Sequence, residues 1–469
     1  MKNKPLVIPI FIPHSGCPHQ CAFCNQSIIT ERESVITNKR TWPDLPTPNN
    51  ELATTNNENE TVYFHGRDKT TDHYNSSKTI NSTEAIKTPE EIEITDKFEV
   101  TYRSSEAAIP SKSKIRQEVE RFLSYKGSRE EVQLAFFGGN FLGLETDQID
   151  LLLSTAQELA DENKINSIRF STRPDTITKE KLELIAPYPV STIEIGVQSM
   201  NDTVLKMARR GHTAEDTINA VSLLREYSNK RYSRSRDRDY PNSAEIYQQK
   251  PVIKMLQWNI GQISLQKNMR SLQTGIQMMV GLPGDSDKTA IETAYKIAGL
   301  NPDFVRIYPL IVLEGSLLAR WYREGRYTPP SLDSCVELVK KIYLIFQNHN
   351  IPVIRMGLQA SDLLQDKLSM LAGPWHPAFG HLVYSKIFFD TALNLINKEI
   401  SFKNMDDNQS NTITLTVHPS SLSRLKGDKN LNMKRLGHIY PSVEFKIKPD
   451  DSLDKSALKI LHPVTNSKV

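Results

Sequence analysis

The chain has 469 residues, of which 38% are hydrophobic and 24% charged, with a net charge of +3. That length can bury a large core organised as about two to four domains, and the near-balanced charge neither demands nor excludes a nucleic-acid partner. No apolar run is long enough to span a bilayer, and Leu6 to Pro13 is too short, and too soon followed by cysteines, for a secretory signal; a cytoplasmic protein with no membrane partner is expected.

The first predicted strand, Leu6–Phe11, leads into His-Ser-Gly-Cys-Pro-His-Gln-Cys-Ala-Phe-Cys-Asn-Gln, which sets Cys17, Cys21 and Cys24 in one loop at Cys-x3-Cys-x2-Cys spacing. Structural zinc and electron-carrying iron–sulfur sites normally take four protein ligands. Three thiolates with no fourth nearby leave one metal position open to a small molecule, an arrangement suited to chemistry more than to scaffolding. The residues alone leave two readings: an iron–sulfur centre, or a zinc completed by His14 or His19. The fourth cysteine, Cys335, falls inside a helical pattern and is expected to pack as a small hydrophobe. Cysteines so few and so bunched argue against a disulfide framework and for a reducing compartment.

From about residue 31 to 113 the chain is rich in Asn, Thr, Ser, Glu and Lys, with too few large apolar residues to offset chain entropy, and an inserted, largely disordered loop is expected. Next come a helix over Lys114–Tyr125, a strand over Val132–Phe137 ending at Gly138-Gly139-Asn140, and a helix over Asp147–Asn163. A strand over Ser167–Ser171 runs into Thr172-Arg173-Pro174-Asp175, followed by a helix over Thr178–Ile185. A strand over Thr192–Gly196 runs into Val197-Gln198-Ser199, then a helix over Ala214–Tyr227, with Asp202 and Thr213 as expected helix caps. A second polar insertion, about 228–271, opens on a Lys/Arg/Tyr/Ser run and carries Trp258; interleaved Arg and Tyr suit RNA, but a solvated charge run is the commoner case. Beyond it lie a strand over Thr274–Val280, Gly281-Leu282-Pro283-Gly284, a helix over Ser286–Gly299, a strand over Asp303–Tyr308 and a helix over Ser331–Gln347.

Six strand-then-helix units in succession require parallel strands with right-handed crossovers, so the expected fold is α/β, a partial (βα)6 barrel. Ligands of such barrels gather at the C-terminal ends of the strands, and each unusual motif above falls on that one rim. Taken singly, each has a plainer reading: the glycine pair as a turn, Arg173 and Asp175 as a salt bridge closing the rim, Gln198 as a satisfied buried amide.

The cysteine motif, with Phe23 just before its last cysteine, resembles the signature of radical S-adenosylmethionine (radical SAM) enzymes. Phe136–Gly139, Ser171–Asp175, Glu194–Ser199, Arg209–Thr213 and Met278–Asp285 are similar to the branch containing the elongator catalytic subunit and its bacterial relatives, and more distantly to oxygen-independent coproporphyrinogen oxidase. The resemblance covers the chain to about Gln359 apart from the insertions. It implies that Cys17, Cys21 and Cys24 hold a [4Fe–4S] cluster whose open iron binds the amino and carboxylate groups of S-adenosylmethionine. It places Gly138 and Gly139 at the methionyl amino group, with Asn140 where relatives often carry Glu, Ser or Thr. Phe23 and the backbone around Gly281 border the adenine, and Ser171, Gln198, Arg210 and Gln277 match positions that meet ribose or carboxylate. Ser171 and Gln277 stand where the porphyrinogen branch has acidic residues, which counts against that chemistry. The implied reaction is reductive cleavage of the sulfonium to a 5′-deoxyadenosyl radical that abstracts hydrogen from substrate, driven by an external donor of flavodoxin or ferredoxin type.

One cysteine trio leaves no second cluster, and the elongator-type acetyltransferase domain is expected to be missing. Residues 1–360 are expected to form the core, 361–402 a connecting helical segment that includes His376 and His381, and 403–469 a small α/β subdomain. In the last, strands over Thr412–Val417 and Val443–Ile447 flank a basic helical stretch with Arg424, Lys426, Lys429, Lys434 and Arg435. This unit resembles RNA-binding modules of the KH type but lacks their Gly-x-x-Gly loop, because Asn430 fills its last position; a plain packing domain with a basic face is the expectation. RNA is one candidate substrate. A metal-stabilised RNA-binding protein without catalysis and a porphyrinogen decarboxylase are the competing functions.

Overall fold

The computed structural model describes residues 5–18, 20–25, 109–126, 129–237, 272–358, 370–402 and 412–461. Trp258, His19 and most of both expected insertions lie outside them. Ile109 packs against the main core, and the first helix after the insertion, α1 (Lys112–Lys126), opens within the stretch assigned to it. Deleting about Val35 to Pro110 is expected from the sequence to leave fold and cofactor cleavage nearly unchanged, because closure entropy depends only weakly on loop length; since Ile109 packs on the core, the deletion to be made ends at Ala108. Unfolding of that shortened chain, read by circular dichroism, would contradict it.

Seven parallel strands form one curled sheet whose spatial order is the chain order. They are β1 (Leu6–Ile12), β2 (Val132–Gly138), β3 (Ser167–Thr172), β4 (Val190–Gln198), β5 (Gln273–Val280), β6 (Phe304–Pro309) and β8 (Val353–Met356). Between them run α1, α2 (Thr146–Asp161), α3 (Lys179–Ile185), α4 (Asp202–Met207), α5 (Ala214–Asp237), α6 (Asp287–Gly299), α7 (Leu317–Arg323) and α8 (Leu332–Asn348). This is a half-barrel of the expected type with one strand more than the six anticipated. The seventh, β8, has four residues.

Strand residues that face the helices are large, apolar and fully buried, among them Ile8, Leu134, Phe170, Ile193, Ile276 and Val305. Phe141 stacks on Phe136 and Phe170 at 5.2 and 4.3 Å between centroids, closing the core behind the second and third strands. Ser286 caps α6 in a reciprocal capping box with Thr289. Asn201, not Asp202, caps α4, and Asp202 instead accepts from Ala214 N at the start of α5. Thr213 does cap α5, its hydroxyl accepting from Asp216 N while Asp216 bonds back. That helix runs ten residues beyond the expected Tyr227 to Asp237; no Gly or Pro interrupts the run, and Lys230 pairs with Glu226 one turn earlier.

A short antiparallel ribbon joins β7 (Val312–Leu313) to β9 (Met370–Ala372). The long α9 (Phe379–Phe402) then serves two cores: Phe379 and Val383 belong to the barrel's, whereas Phe388, Phe389, Ala392 and Ile396 join that of the C-terminal unit. His376 accepts from Ala378 N just before α9, so it sits at the helix entrance. The C-terminal unit is β10 (Thr412–Val417), α10 (Leu422–Lys426), α11 (Leu431–Ile439), β11 (Glu444–Pro449) and β12 (Leu458–Leu461), its sheet ordered β11-β10-β12.

Candidate active site at the barrel rim

The cysteine loop leaves β1 through one 3₁₀ turn, His14–Gly16, and Cys17 N closes that turn on His14 O at 2.8 Å. Ala22 then pins the loop from both sides, its N–H donating to Ala208 O (3.0 Å) and its carbonyl accepting from Leu318 N (2.7 Å). Asn25 Nδ2 donates to Glu314 O at 2.6 Å. Cys21 is buried and Cys17 and Cys24 are partly so.

The loop's deepest anchor is Asn140. Its Nδ2 donates to Gly16 O (2.7 Å), and its Oδ1 accepts from the Thr172 hydroxyl (2.8 Å), Arg173 N (2.9 Å) and the Thr176 hydroxyl (3.0 Å). One amide thus ties together the loops that follow the first three strands. A Cβ on Gly139 would stand 2.0 Å from Pro13 O, so this glycine is required by the approach of the cysteine loop itself. Of the residues that the resemblance places at S-adenosylmethionine, Gly139 and the Asn140 side chain hold the cysteine loop in this structure, while Gly138 sits at φ +101°. Asn140→Ala would leave several buried groups unpaired, and a destabilisation on the order of 3 kcal/mol is expected in urea titration of the metal-free protein.

Beside the cysteines stands a buried pair of cations. Arg210 donates from Nη1 to Cys21 Sγ (3.2 Å) and from Nη2 to Gly196 O (2.7 Å). Arg173 grips Asp175 with two bonds of 2.9 and 2.8 Å, the rim salt bridge anticipated from sequence. Burial works against the Asp175 charge, but these bonds outweigh it and hold the carboxyl below its ordinary range. Burial, and next the neighbouring Cys21, push the Cys17 thiol up, while Arg173 and Arg210 pull it the other way.

Strand β4 bulges at Val197: Gly196 pairs with Gln277 and Gln198 with Met278. Gln198 therefore takes φ +66°, and the bulge re-aims its side chain. Its buried Oε1 has no hydrogen-bond partner, so the satisfied-amide reading does not hold; Arg173 Nη1 and Arg210 Nε are likewise buried without one. Behind them His212 Nε2 meets Val197 O at 3.1 Å. Burial first, then the charges of Arg210 and Arg173, lower its pKa to about 3. The folded state therefore keeps this imidazole neutral, and its contribution to stability is lost as pH falls below the unfolded value near 6.5. His212→Gln should flatten the acid limb of the stability profile between about pH 6 and 4; an unchanged limb would assign the acid sensitivity to other groups.

Phe23 packs on an apolar cluster that includes Val204, Leu282, Leu310 and Leu318. Gly281, at φ +81°, accepts from the Tyr327 hydroxyl at 2.6 Å. Ser171 and Gln277 meet inside the barrel, Gln277 Nε2 lying 3.2 Å from Ser171 Oγ and 2.8 Å from Glu194 Oε2. Glu194, with no exposure, is also bound by Arg306 Nε and Nη2 (2.8 and 3.0 Å) and faces Arg169 Nε at 3.4 Å. Sequence reasoning did not single out Arg169, Arg306 or His212. A signal for the arginines was present: Arg169, Glu194, Gln277 and Arg306 alternate with apolar neighbours, whereas strands covered on both faces by hydrocarbon read as continuous apolar runs.

Three thiols on one loop, a guanidinium already donating to one of them and buried polar atoms lacking partners suit an iron–sulfur cluster and a zwitterionic ligand. Among the described residues no three His, Cys, Asp or Glu side chains converge on the position of a single metal ion; a cuboidal cluster spreads its cysteine sulfurs more widely than one ion does.

Residues 11–234 match the model of the Radical SAM superfamily and residues 302–388 that of the Radical_SAM C-terminal domain. The chain belongs to the radical SAM superfamily and is an enzyme of that class, a family whose members use S-adenosylmethionine and a [4Fe–4S] cluster and typically need an electron donor. It is similar to the tRNA uridine(34) acetyltransferase of Dehalococcoides mccartyi (strain CBDB1), 24% identical over 275 residues that cover 53% of this chain and 50% of the relative. Elongator complex protein 3 of Homo sapiens is 21% identical over 283 residues, 55% of this chain and 44% of that protein. The chain thus spans about half the length of these curated relatives. Among solved structures, Methanocaldococcus infernus Elp3 aligns over 60% of this chain and 59% of its own, at 20% identity and a TM-score of 0.44. Coproporphyrinogen III oxidase (HemN) from Escherichia coli aligns over 50% and 44%, at 17% identity and 0.32. Among the described residues no helix is long and apolar enough to cross a membrane.

Proposed function

We propose that Cys17, Cys21 and Cys24 ligate the cluster, that the rim from Gly138 to Gly281 receives S-adenosylmethionine, and that the substrate is RNA, in the manner that relatives named for tRNA uridine(34) suggest. When bound, the two groups supply reductive cleavage of a carbon–sulfur bond and hydrogen abstraction from substrate. The single observation that carries the reading is the Arg210–Cys21 bond on the three-cysteine loop. The guanidinium sets a charged donor against a sulfur that would be a thiolate once it ligates a cluster.

Arg173 and Arg210 put positive charge where a methionyl carboxylate would sit, and the unpartnered Gln198 Oε1 offers an acceptor for an ammonium or hydroxyl. Phe23 gives an apolar wall against adenine. Tyr327 fixes the Gly281 carbonyl beside it. Ser171 and Gln277, engaged with each other and with Glu194, suit a ribose edge or the substrate entrance, and the curled sheet around them excludes water from the reacting atoms. A flavodoxin- or ferredoxin-type donor supplies the electron.

The test is anaerobic reconstitution followed by incubation with S-adenosylmethionine, dithionite and bulk tRNA, with nucleosides read by mass spectrometry. About four irons per chain, release of methionine and a new modified uridine are expected. Zinc in place of iron would overturn the site; cofactor cleavage that leaves every nucleoside unchanged would overturn the RNA substrate.

A further inference from the structure

In the C-terminal unit, β10 leads through α10, a four-residue loop and α11 into β11, which returns parallel to β10 as the edge of the sheet. The loop is Gly427-Asp428-Lys429-Asn430. By sequence it fails the Gly-x-x-Gly requirement at Asn430. Asn430 nonetheless holds a backbone conformation that glycine readily takes: φ 64°, ψ 24°, the left-handed region that Asn enters more readily than other non-glycine residues. Gly427 (φ 74°) and Lys429 (φ 47°) share the positive-φ geometry.

The loop is braced from behind. Asn432 is 4% exposed, and its Nδ2 donates to Ser385 O (2.9 Å), Leu425 O (3.1 Å) and Arg424 O (3.3 Å). A Cβ on Gly427 would lie 2.9 Å from Asn432 Cγ, so the glycine is needed for this brace. In front of the loop, Ser423, Lys426, Gly427, Asn430 and Met433 face Phe445 and Ile447 of the edge strand across an open groove of about 600 Å³. Its lining combines the apolar Met433, Phe445 and Ile447 with the polar Ser423 and Asn430 and the cationic Lys426. The five basic residues of this stretch do not act as one face: Arg424 stacks over the Tyr384 ring at 4.1 Å and Arg435 over Phe389 at 6.0 Å, both on α9. Lys426, Lys429, Lys434 and Arg435 are all exposed, with Asp428 the one acidic residue in the loop.

We infer that this groove binds a short single-stranded segment of RNA, its phosphates on the Gly427–Asn430 loop beside Lys426 and Lys429, and its bases over Met433, Phe445 and Ile447. A tight turn between two helices that clamps backbone, opposite an apolar strand edge, reads about four unpaired nucleotides. Charge complementarity selects the occupant: an extended peptide adding to β11 would need no lysines at the loop. The inference rests on the proposed RNA substrate only in naming RNA as the polymer.

The experiment is fluorescence anisotropy of the full chain with a labelled ten-nucleotide oligouridylate, against a duplex RNA of equal length, at two salt concentrations. Single-stranded binding that weakens with salt, and little duplex binding, are expected. The Lys426→Glu/Lys429→Glu variant should lose on the order of tenfold in affinity. Asn430→Gly should bind as the parent does, because it keeps the backbone, whereas Asn430→Val should bind less. Thermal melting and tRNA-free cleavage of S-adenosylmethionine should be unchanged in the lysine variant, separating the groove from the barrel. Parental affinity in that variant, equal duplex binding, or no oligonucleotide binding by the parent would each overturn the inference. Oligonucleotide binding lost in the lysine variant, from a parent that modifies no tRNA nucleoside, would uphold the groove and remove the substrate assignment alone.

Discussion

Replacing Cys17, Cys21 or Cys24 singly with Ala is expected to abolish cluster assembly and reductive cleavage of S-adenosylmethionine, whereas Cys335→Ala leaves both intact. The contrast comes from surroundings as much as from spacing. Cys21 carries the Arg210 bond, and the loop bearing all three is fixed at Gly16, Ala22 and Asn25. Cys335 is 1% exposed inside α8, and burial pushes its thiol up to about 12, the behaviour of an inert packed side chain. Iron per chain and the visible absorption of reconstituted protein measure the outcome. Equal iron loss from the Cys335 variant would mean four cysteine ligands and no open position; full iron in any of the other three would remove that cysteine from the site.

The half-barrel was legible because its signals are local. Buried parallel strands are short apolar runs, each rim motif sits at or shortly after the C-terminal end of a strand, and a glycine or a cysteine triplet is visible without knowing what it packs against. The seventh strand was not, since Val353–Met356 spans four residues behind Pro352 and has no periodicity to count. Nor was the role of Asn140: a side chain that ties three loops together looks, in one dimension, like a polar residue beside two glycines. Gln198 shows the same limit, because its bulge at Val197 is set by the pairing of β4 with β5. At Asn430 residue type and backbone angle part company: the Gly-x-x-Gly pattern is absent, yet Asn430 takes a left-handed φ of 64°, which residue types alone do not show. In each case the missing information is a long-range contact or a backbone angle.

The other large effect is expected inside the barrel. Among the described residues Glu194 is the one carboxylate paired with both Arg169 and Arg306, and Gln277 donates to it as well. Glu194→Gln keeps the volume but removes the charge, leaving two guanidiniums in a site from which water is largely excluded. Burial already pulls Arg169 below its ordinary pKa, with Glu194 the main influence opposing it. Breaking such a buried pair from one side costs about 3–5 kcal/mol, so a large drop in the denaturation midpoint of the metal-free protein is expected. Adding Arg169→Met should recover part of it by removing one stranded charge. The loss should also change little between low and moderate salt, because buried pairs are screened far less than surface ones. A salt-sensitive loss below about 1 kcal/mol, the range of exposed pairs, would instead mean that water and counter-ions reach the arginines freely, and that the lumen is an open cationic channel.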